Sequence, residues 1–225
     1  MKHIVFASLL NLPPLVLLGS LSIFVTFIVA LCFCKKFDKS TKLFFSYLTL
    51  SAIFETIMII WVVKGENNLW ISHIFTPIEY GLLAYLLSYW QENHTIKKLM
   101  RYSIPVVIIL IISLNLSGIE PTNIFDYISI PITSLLLTAF SWHILHQMSI
   151  RDTGNLLKDH KFWITAGVFI YFSSGLFIFA MGILPQIDAL YVIFQVNSGL
   201  LIIRNIFFSI AMIYQNPVKQ RTFTT

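Results

Sequence analysis

Charge is scarce in this chain of 225 residues, because only 11% of the residues are Asp, Glu, Lys or Arg and 57% are hydrophobic. Soluble domains carry about a quarter charged residues, so this composition excludes a soluble globular domain. Cysteine is nearly absent too. Cys32 and Cys34 lie two positions apart, and on a helix they point in different directions, so they cannot form a disulfide with each other. We expect both to be reduced packing residues.

Catalytic signatures are missing as well. The sequence contains no Gly-x-Ser-x-Gly, His-Glu-x-x-His or Cys-x-x-Cys motif and no phosphate-binding glycine loop. These absences count against an enzyme, although intramembrane enzymes can use scattered carboxylates. No basic stripe with interleaved aromatic residues is present, so we expect no nucleic-acid partner.

We expect no cofactor and no resident metal. One loop does gather histidines and acids: His143, His146, His160, Asp152 and Asp159. His143 and His146 have a helical spacing that would let both bind one ion, but this spacing is too common to be specific. We interpret the loop as solvated, and as a docking surface for a cytoplasmic partner.

What the sequence has instead is long apolar runs, each of about 18 residues or more, which indicate membrane-spanning helices. There are seven, at residues 13–34, 43–63, 69–90, 102–118, 124–147, 161–183 and 188–214. The sequence therefore predicts an all-α polytopic membrane protein, in which residues 1–225 form a single seven-helix transmembrane domain.

Basic residues are concentrated on one side of this predicted topology. Twelve of the fifteen Lys and Arg fall in the loops after spans 1, 3 and 5 and in the tail, whereas the other side has only Lys2 and Lys64. The positive-inside rule then predicts an outside N-terminus and a cytoplasmic C-terminus. We expect a multi-pass protein of the cell membrane, a bacterial inner membrane, with the lipid bilayer as its first partner.

Ionisable side chains at bilayer depth are costly and mark candidate functional sites. Glu55, Glu79 and Arg204 lie near the middle of spans 2, 3 and 7, and Asn197 lies about two turns from Arg204 on the same face. We predict a polar pocket open to the outside, with these ligand-binding residues: Glu79, Glu55, Arg204, Asn197, His73 and Thr76. The alternative is an internal salt bridge that only fixes helix packing. Either glutamate is a candidate partner of Arg204.

A shift of 118 residues superposes spans 1–3 on spans 5–7. It pairs residues 81–83 with residues 199–201, both Gly-Leu-Leu, and Glu79 with Asn197. This pattern predicts a 3+1+3 arrangement with span 4 as the linker.

Three families share this layout. Microbial rhodopsins need a retinal-binding lysine in the last span, where this chain has Arg204 and no lysine. Sugar transporters of the SWEET type and their PQ-loop relatives use asparagines in spans 3 and 7; Asn197 fits one, but span 3 has Glu79, and the Pro-Gln pair at 185–186 falls in another place.

Residues 73–80 (HIFTPIEY), 161–167 (KFWITAG) and 171–175 (YFSSG) resemble a third group, uncharacterised bacterial seven-helix proteins that are often encoded beside histidine kinases or response regulators. That resemblance implies a sensory role.

Three functions follow as hypotheses. The first is a sensor or receptor-like protein that binds a small ligand or a proton in an outward pocket and signals to a separate cytoplasmic protein. The second is a small-solute or proton-coupled transporter of the 3+1+3 type. The third is an intramembrane lipid-modifying enzyme. A pocket open on one side favours sensing, access from both sides favours transport, and a lateral opening beside Glu79 favours an enzyme.

The predicted orientation can be tested by cysteine labelling. We expect Lys97→Cys and Lys158→Cys to resist a membrane-impermeant thiol reagent added to intact cells, because both positions lie in predicted cytoplasmic loops. Labelling of either position from outside would reverse the topology.

Overall fold

The computed structural model of the protein describes residues 13–33, 37–151, 156–181 and 187–215, and side chains throughout these ranges except 177–194. In this part of the chain there are seven α-helices and no strands. They are α1 (Pro14–Phe33), α2 (Lys39–Lys64), α3 (Leu69–Trp90), α4 (His94–Leu116), α5 (Ser129–Arg151), α6 (His160–Met181) and α7 (Ile187–Tyr214), with a short 3-10 turn at Leu156–Lys158. The predicted all-α class is confirmed.

Some sequence predictions concern positions outside the described residues. They include Lys2, Lys35, Lys36, Lys219 and Arg221 of the charge count, and also Cys34, Asp152, Pro185 and Gln186. The thiol of Cys32 is free, as expected, but it lies exposed on α1 instead of packing in the interior.

Four helical segments of the described chain are long and apolar enough to cross a membrane: Pro14–Phe33, Lys39–Lys64, His94–Leu116 and Gln195–Tyr214. Large apolar side chains are exposed on their outer faces, for example Leu18 and Ile28 on α1 and Val106 on α4. Exposed apolar surface of this kind is typical of contact with lipid or with another protein. The four helices therefore suggest a membrane protein. Helix α3 has the length of a span, but His73 and Glu79 lower its mean hydropathy.

Six of the helices close into a ring. Each of α1, α2, α3, α5, α6 and α7 packs against the next in this order, and α7 packs back against α1. Helix α4 lies outside the ring and packs mainly against α3. The interior of the bundle is consequently lined by six helices, and α4 contributes an outer layer.

Three helices, α2, α4 and α5, begin several residues away from the positions that the hydropathy predicts, because polar side chains cap them. Helix α4 begins at His94 instead of 102, since the Asn93 side chain accepts hydrogen bonds from the backbone N–H of Thr95 at 3.0 Å and Ile96 at 3.3 Å. Helix α5 begins at Ser129 instead of 124. The Glu120 carboxylate caps it by accepting from the backbone N–H groups of Ile128 and Ser129.

Asp38 caps α2 at the end of the bundle that carries most of the lysines, which we call the basic end. Its carboxylate accepts hydrogen bonds from Thr41 N at 2.8 Å and from Ser40 Oγ at 3.0 Å. Burial raises the pKa of Asp38, but these hydrogen bonds outweigh burial and leave the pKa below its ordinary value. The resulting stabilisation is present above about pH 4 and is lost as the pH falls further. Gln215 Nε2 also donates to Asp38, at 3.4 Å, and so ties the end of α7 to the start of α2.

Small and polar residues bring α1 and α7 together. Gly19 lies so close to α7 that a Cβ atom added to it would be 3.0 Å from Ser198 Cβ. Farther along, Thr26 Oγ1 donates to the carbonyl of Asn205 at 2.9 Å, and Asn205 Nδ2 donates to Ser22 Oγ at 2.6 Å. Close approach and interhelical hydrogen bonds are the usual means of helix association in membranes. We call this contact between α1 and α7 the seam, and it closes the ring.

The seam generates a stability prediction. Gly19→Ala should lower the melting temperature of the purified protein, because overpacking costs about 1–3 kcal/mol and the nearest atoms belong to the Ser198 backbone and Cβ. Gly199→Ala is the matched control on α7, since nothing lies within 4 Å of its added Cβ. Equal melting temperatures for the two variants would show that the seam is not tight.

Candidate functional site

A cavity of about 780 Å³ occupies the interior of the ring. It runs from the middle of the bundle toward the end opposite the basic end, which we call the far end. All six ring helices and the segment 124–127 contribute to its wall. The polar and ionisable lining residues are Ser51, Glu55, Ser72, Thr76, Glu79, Thr133, Ser134, Asn197 and Arg204, and the aromatic ones are Phe54, Phe75, Phe125, Tyr127, Tyr171 and Phe172. Its volume matches the usual range of small-molecule sites.

An ion pair forms the floor of the cavity. Arg204 Nη1 on α7 donates to Glu79 Oε1 on α3 at 3.1 Å. The hydroxyl of Tyr47 on α2 donates to the same oxygen at 2.8 Å. The predicted contact between Arg204 and one of the two glutamates is confirmed, and the partner is Glu79. Three helices thus share one carboxylate, which fixes their rotation about their axes.

Two aromatic rings also hold the guanidinium. The Arg204 Cζ atom lies 4.4 Å from the centre of the Tyr171 ring and 5.5 Å from that of Phe208. Cations over aromatic faces are attracted by the ring quadrupole, and more so where water is excluded. Arg204 is 4% exposed, so the carboxylate and the two rings together replace most of its water.

Glu55 on α2 and Asn197 on α7 line the cavity on the two helices that flank α1. Glu55 faces Ser20 of α1 and is within electrostatic reach of Arg204. Asn197 lies beside Tyr171, and its Oδ1 atom has no hydrogen-bond partner among the described residues. The predicted residues Glu79, Glu55, Arg204, Asn197 and Thr76 therefore line a single cavity.

His73 differs from its predicted position, because it does not line the cavity. Its ring is buried at the far end of α3, where Nε2 is 2.9 Å from the carbonyl oxygen of Ile124 and 3.4 Å from Asp126 Oδ1. A carbonyl can only accept, so Nε2 carries a proton. The Ile124 carbonyl and the Asp126 carboxylate together hold the imidazole against the 124–126 segment.

Two buried carboxylates hold the α4–α5 connection over the far end of the cavity. Asp126 accepts from Ser72 Oγ at 2.6 Å and from Thr76 Oγ1 at 3.1 Å. Glu120 accepts from the backbone N–H groups of Ile128 at 2.7 Å and Ser129 at 3.2 Å, and from the Ser129 hydroxyl. A carboxylate at a helix N-terminus satisfies free N–H groups and the helix dipole. Glu120 therefore sets the start of α5, and Asp126 anchors the connection to α3.

Aromatic packing closes the other side of the cavity floor. The Phe44 and Phe208 rings meet edge to face with centres 4.9 Å apart, and Tyr47 lies 6.2 Å from Phe208. Leu83 and Leu87 fill the same layer and are fully buried. The half of the ring toward the basic end is thus packed, whereas the half toward the far end is hollow.

Sequence reasoning missed Tyr47, Asp126 and Tyr171 of this site. Asp126 had a signal, because it is an acid at the start of the predicted span 124–147. Tyr47 and Tyr171 had none, since a tyrosine in an apolar span is ordinary.

The histidine loop at the basic end is a separate region. Gln91 Nε2 donates to His143 Nδ1 at 2.8 Å, and His160 Nδ1 is 3.5 Å from Asp159 Oδ1. Among the described residues no group of three or more His, Cys, Asp or Glu side chains is placed to hold a metal ion.

Comparison with family models, with curated proteins and with solved structures finds no match to this chain.

The ion pair predicts a pattern of non-additive mutations. Arg204→Leu should destabilise the protein by about 3–5 kcal/mol, because a buried carboxylate loses its partner. Arg204→Leu combined with Glu79→Gln should recover part of this loss, whereas Arg204→Leu with Glu55→Gln should not, since Arg204 bonds to Glu79. Unfolding in detergent micelles measures all of these variants. If Glu55→Gln, and not Glu79→Gln, restored stability to Arg204→Leu, the partner of Arg204 would be Glu55.

Proposed function

We propose that the protein is a seven-span membrane sensor, which binds a small ligand in the central cavity and signals at its basic end. The observation that carries this proposal is the cavity itself: about 780 Å³ of space beside a buried ion pair, hollow toward one end and packed toward the other. A cavity with access from a single side suits detection, because the ligand returns to the side from which it came.

The seven-span topology is supported by helix lengths and packing. Helices α3, α5 and α6 have 22, 23 and 22 residues, enough to cross about 30 Å of hydrocarbon. They stand in the same ring as α1, α2 and α7. The distribution of Lys and Arg favours a cytoplasmic basic end, so the hollow half would face outward.

Helix α7 offers a route from the ligand to the cytoplasm. It carries Asn197 and Arg204 at the cavity and continues without a break to Tyr214. Immediately after it, Gln215 contacts Asp38 at the start of α2. A ligand that displaces Arg204 would move α7 as a unit and alter this contact. A separate cytoplasmic protein bound at the basic end would read the change.

Transport is the second candidate, and the pattern of packing favours it. The shift of 118 residues maps α1, α2 and α3 onto α5, α6 and α7, and it maps the α3–α5 contact onto the α7–α1 contact. Both Glu79 and its counterpart Asn197 line the cavity. Related halves around a central site are typical of transporters that alternate between two openings.

A pair of serines on α5 tests sensing against transport. Both side chains are buried within the protein, but Ser134 lines the cavity, whereas Ser141, two turns farther toward the basic end, lies in the packed half. In a background with Cys32 and Cys34 replaced by Ser, we expect an impermeant thiol reagent to label Ser134→Cys from outside only. Ser141→Cys is the matched control and should not react from either side.

The labelling is measured in sealed right-side-out and inside-out vesicles. Reaction of Ser134→Cys from both sides would contradict a sensor and support transport. Failure of Ser134→Cys to react from either side, with the variant folded, would show that the cavity does not admit solutes from water.

A further inference from the structure

The cavity contains more negative than positive charge. Two carboxylates, Glu55 and Glu79, line it, and Arg204 is the sole basic lining residue in the described part of the chain. The Glu79–Arg204 pair is neutral as a unit. Glu55 therefore remains as an acidic side chain for which the wall supplies no second cation.

Arg204 is poorly placed to attract an anionic ligand. Its guanidinium is bonded to Glu79 and lies over the rings of Tyr171 and Phe208. Its Nε has no hydrogen-bond partner among the described residues, but an anion bound there would bring a second negative charge beside the Glu79 carboxylate, and like charges repel. Glu55 has a neutral neighbour instead, the Ser20 hydroxyl on α1, so its charge is the one available to a ligand.

The apolar part of the wall also suits a cation. Phe54, Phe75 and Phe172 line the cavity together with Tyr127 and Tyr171. Aromatic rings bind alkyl and aryl groups through burial of apolar surface, and they attract cationic nitrogen through their faces. A bare metal ion would gain little from such walls, whereas an amine with an apolar body would gain from both.

Charges at the far end act in the same direction. Among the described residues from 64 to 128, the far end of the bundle has three acidic residues, Glu66, Glu120 and Asp126, and one lysine, Lys64. Acidic residues near a cavity make the electrostatic potential there more negative, which favours cations over anions.

We propose that the cavity selects an organic cation with an apolar body, such as an aryl or alkyl amine, and that Glu55 is its counter-ion. The inference rests on the proposed function, because it names the ligand class of the same cavity. The Glu79–Arg204 pair then serves as a neutral floor against which the apolar body packs.

Three probes of similar size test the charge preference: phenethylammonium, the neutral 2-phenylethanol and the anionic phenylacetate. Binding is measured by calorimetry to the full chain in nanodiscs at pH 7, with empty nanodiscs to correct for partition into lipid. We expect phenethylammonium to bind at least about tenfold tighter than the alcohol, and phenylacetate to bind weakest.

Glu55→Gln should abolish this preference, and Glu55→Asp should retain it. Glu66→Gln is the matched control, because it removes one negative charge from an exposed position at the same end but outside the cavity. It should weaken phenethylammonium binding only slightly and leave the preference for the cation in place. A second measurement leaves Glu55 unchanged: phenethylammonium should slow the labelling of Ser134→Cys from outside, and phenylacetate should not.

Each other result decides against the inference. Equal or tighter binding of the alcohol or of phenylacetate would overturn the cation preference, as would a preference that survives in Glu55→Gln. If no probe binds but Ser134→Cys still reacts from outside only, the organic-cation inference fails while the one-sided cavity of the proposed function stands.

Discussion

The ion pair between Arg204 and Glu79 determines how the interior of this bundle is arranged. An arginine at the centre of a bilayer would cost about 2.5–3.5 kcal/mol even on insertion scales, and a buried guanidinium needs a partner in any apolar interior, so the Glu79 carboxylate stabilises α7 in its place. That requirement brings α3 and α7 face to face across the ring, although neither follows the other in the chain. Tyr47 adds α2 to the same carboxylate. The rotation of three helices about their axes is consequently set by one pair of charges.

The pair also divides the bundle into two halves with different packing. Toward the basic end, apolar and aromatic residues such as Phe44 and Phe208 fill the ring. Toward the far end the same six helices enclose open space, which is covered by a connection that Asp126 and Glu120 hold through hydroxyl and backbone hydrogen bonds. Hydrogen bonds of this kind fix the cover without filling the space beneath it. The cavity therefore persists because the polar groups that surround it are already paired. Hydrogen bonds pair those of the cover, and the Glu79–Arg204 ion pair neutralises the charges of the floor.

The sequence predicts those contacts that are required by the free-energy cost of burying a charge. A charge in an apolar span must find a partner, so the contact of Arg204 with a glutamate could be expected before any coordinates. That the partner is Glu79 and not Glu55 could not be expected from the sequence. The partner depends on which helices face each other, and hydropathy does not determine the order of the helices in the ring. The position of His73 was wrong for a related reason. Its orientation depends on Asp126, which lies 53 residues later in the chain and reaches α3 only through a capped turn.

Glu55 is the residue for which stability alone gives no account. A single carboxylate is enough to neutralise Arg204, and Glu79 provides it. A second carboxylate in the same cavity adds desolvation cost without a matching cation in the described wall. If the cavity binds an organic cation as proposed, this cost would persist in the empty state and would be relieved when the cation enters, so the empty and occupied states would differ in free energy at Glu55. A difference of this kind is what allows a ligand to shift a conformational equilibrium. Because Glu55 lies on α2 and faces α1, the relief would be felt at the contact between these two helices, near the seam that closes the ring.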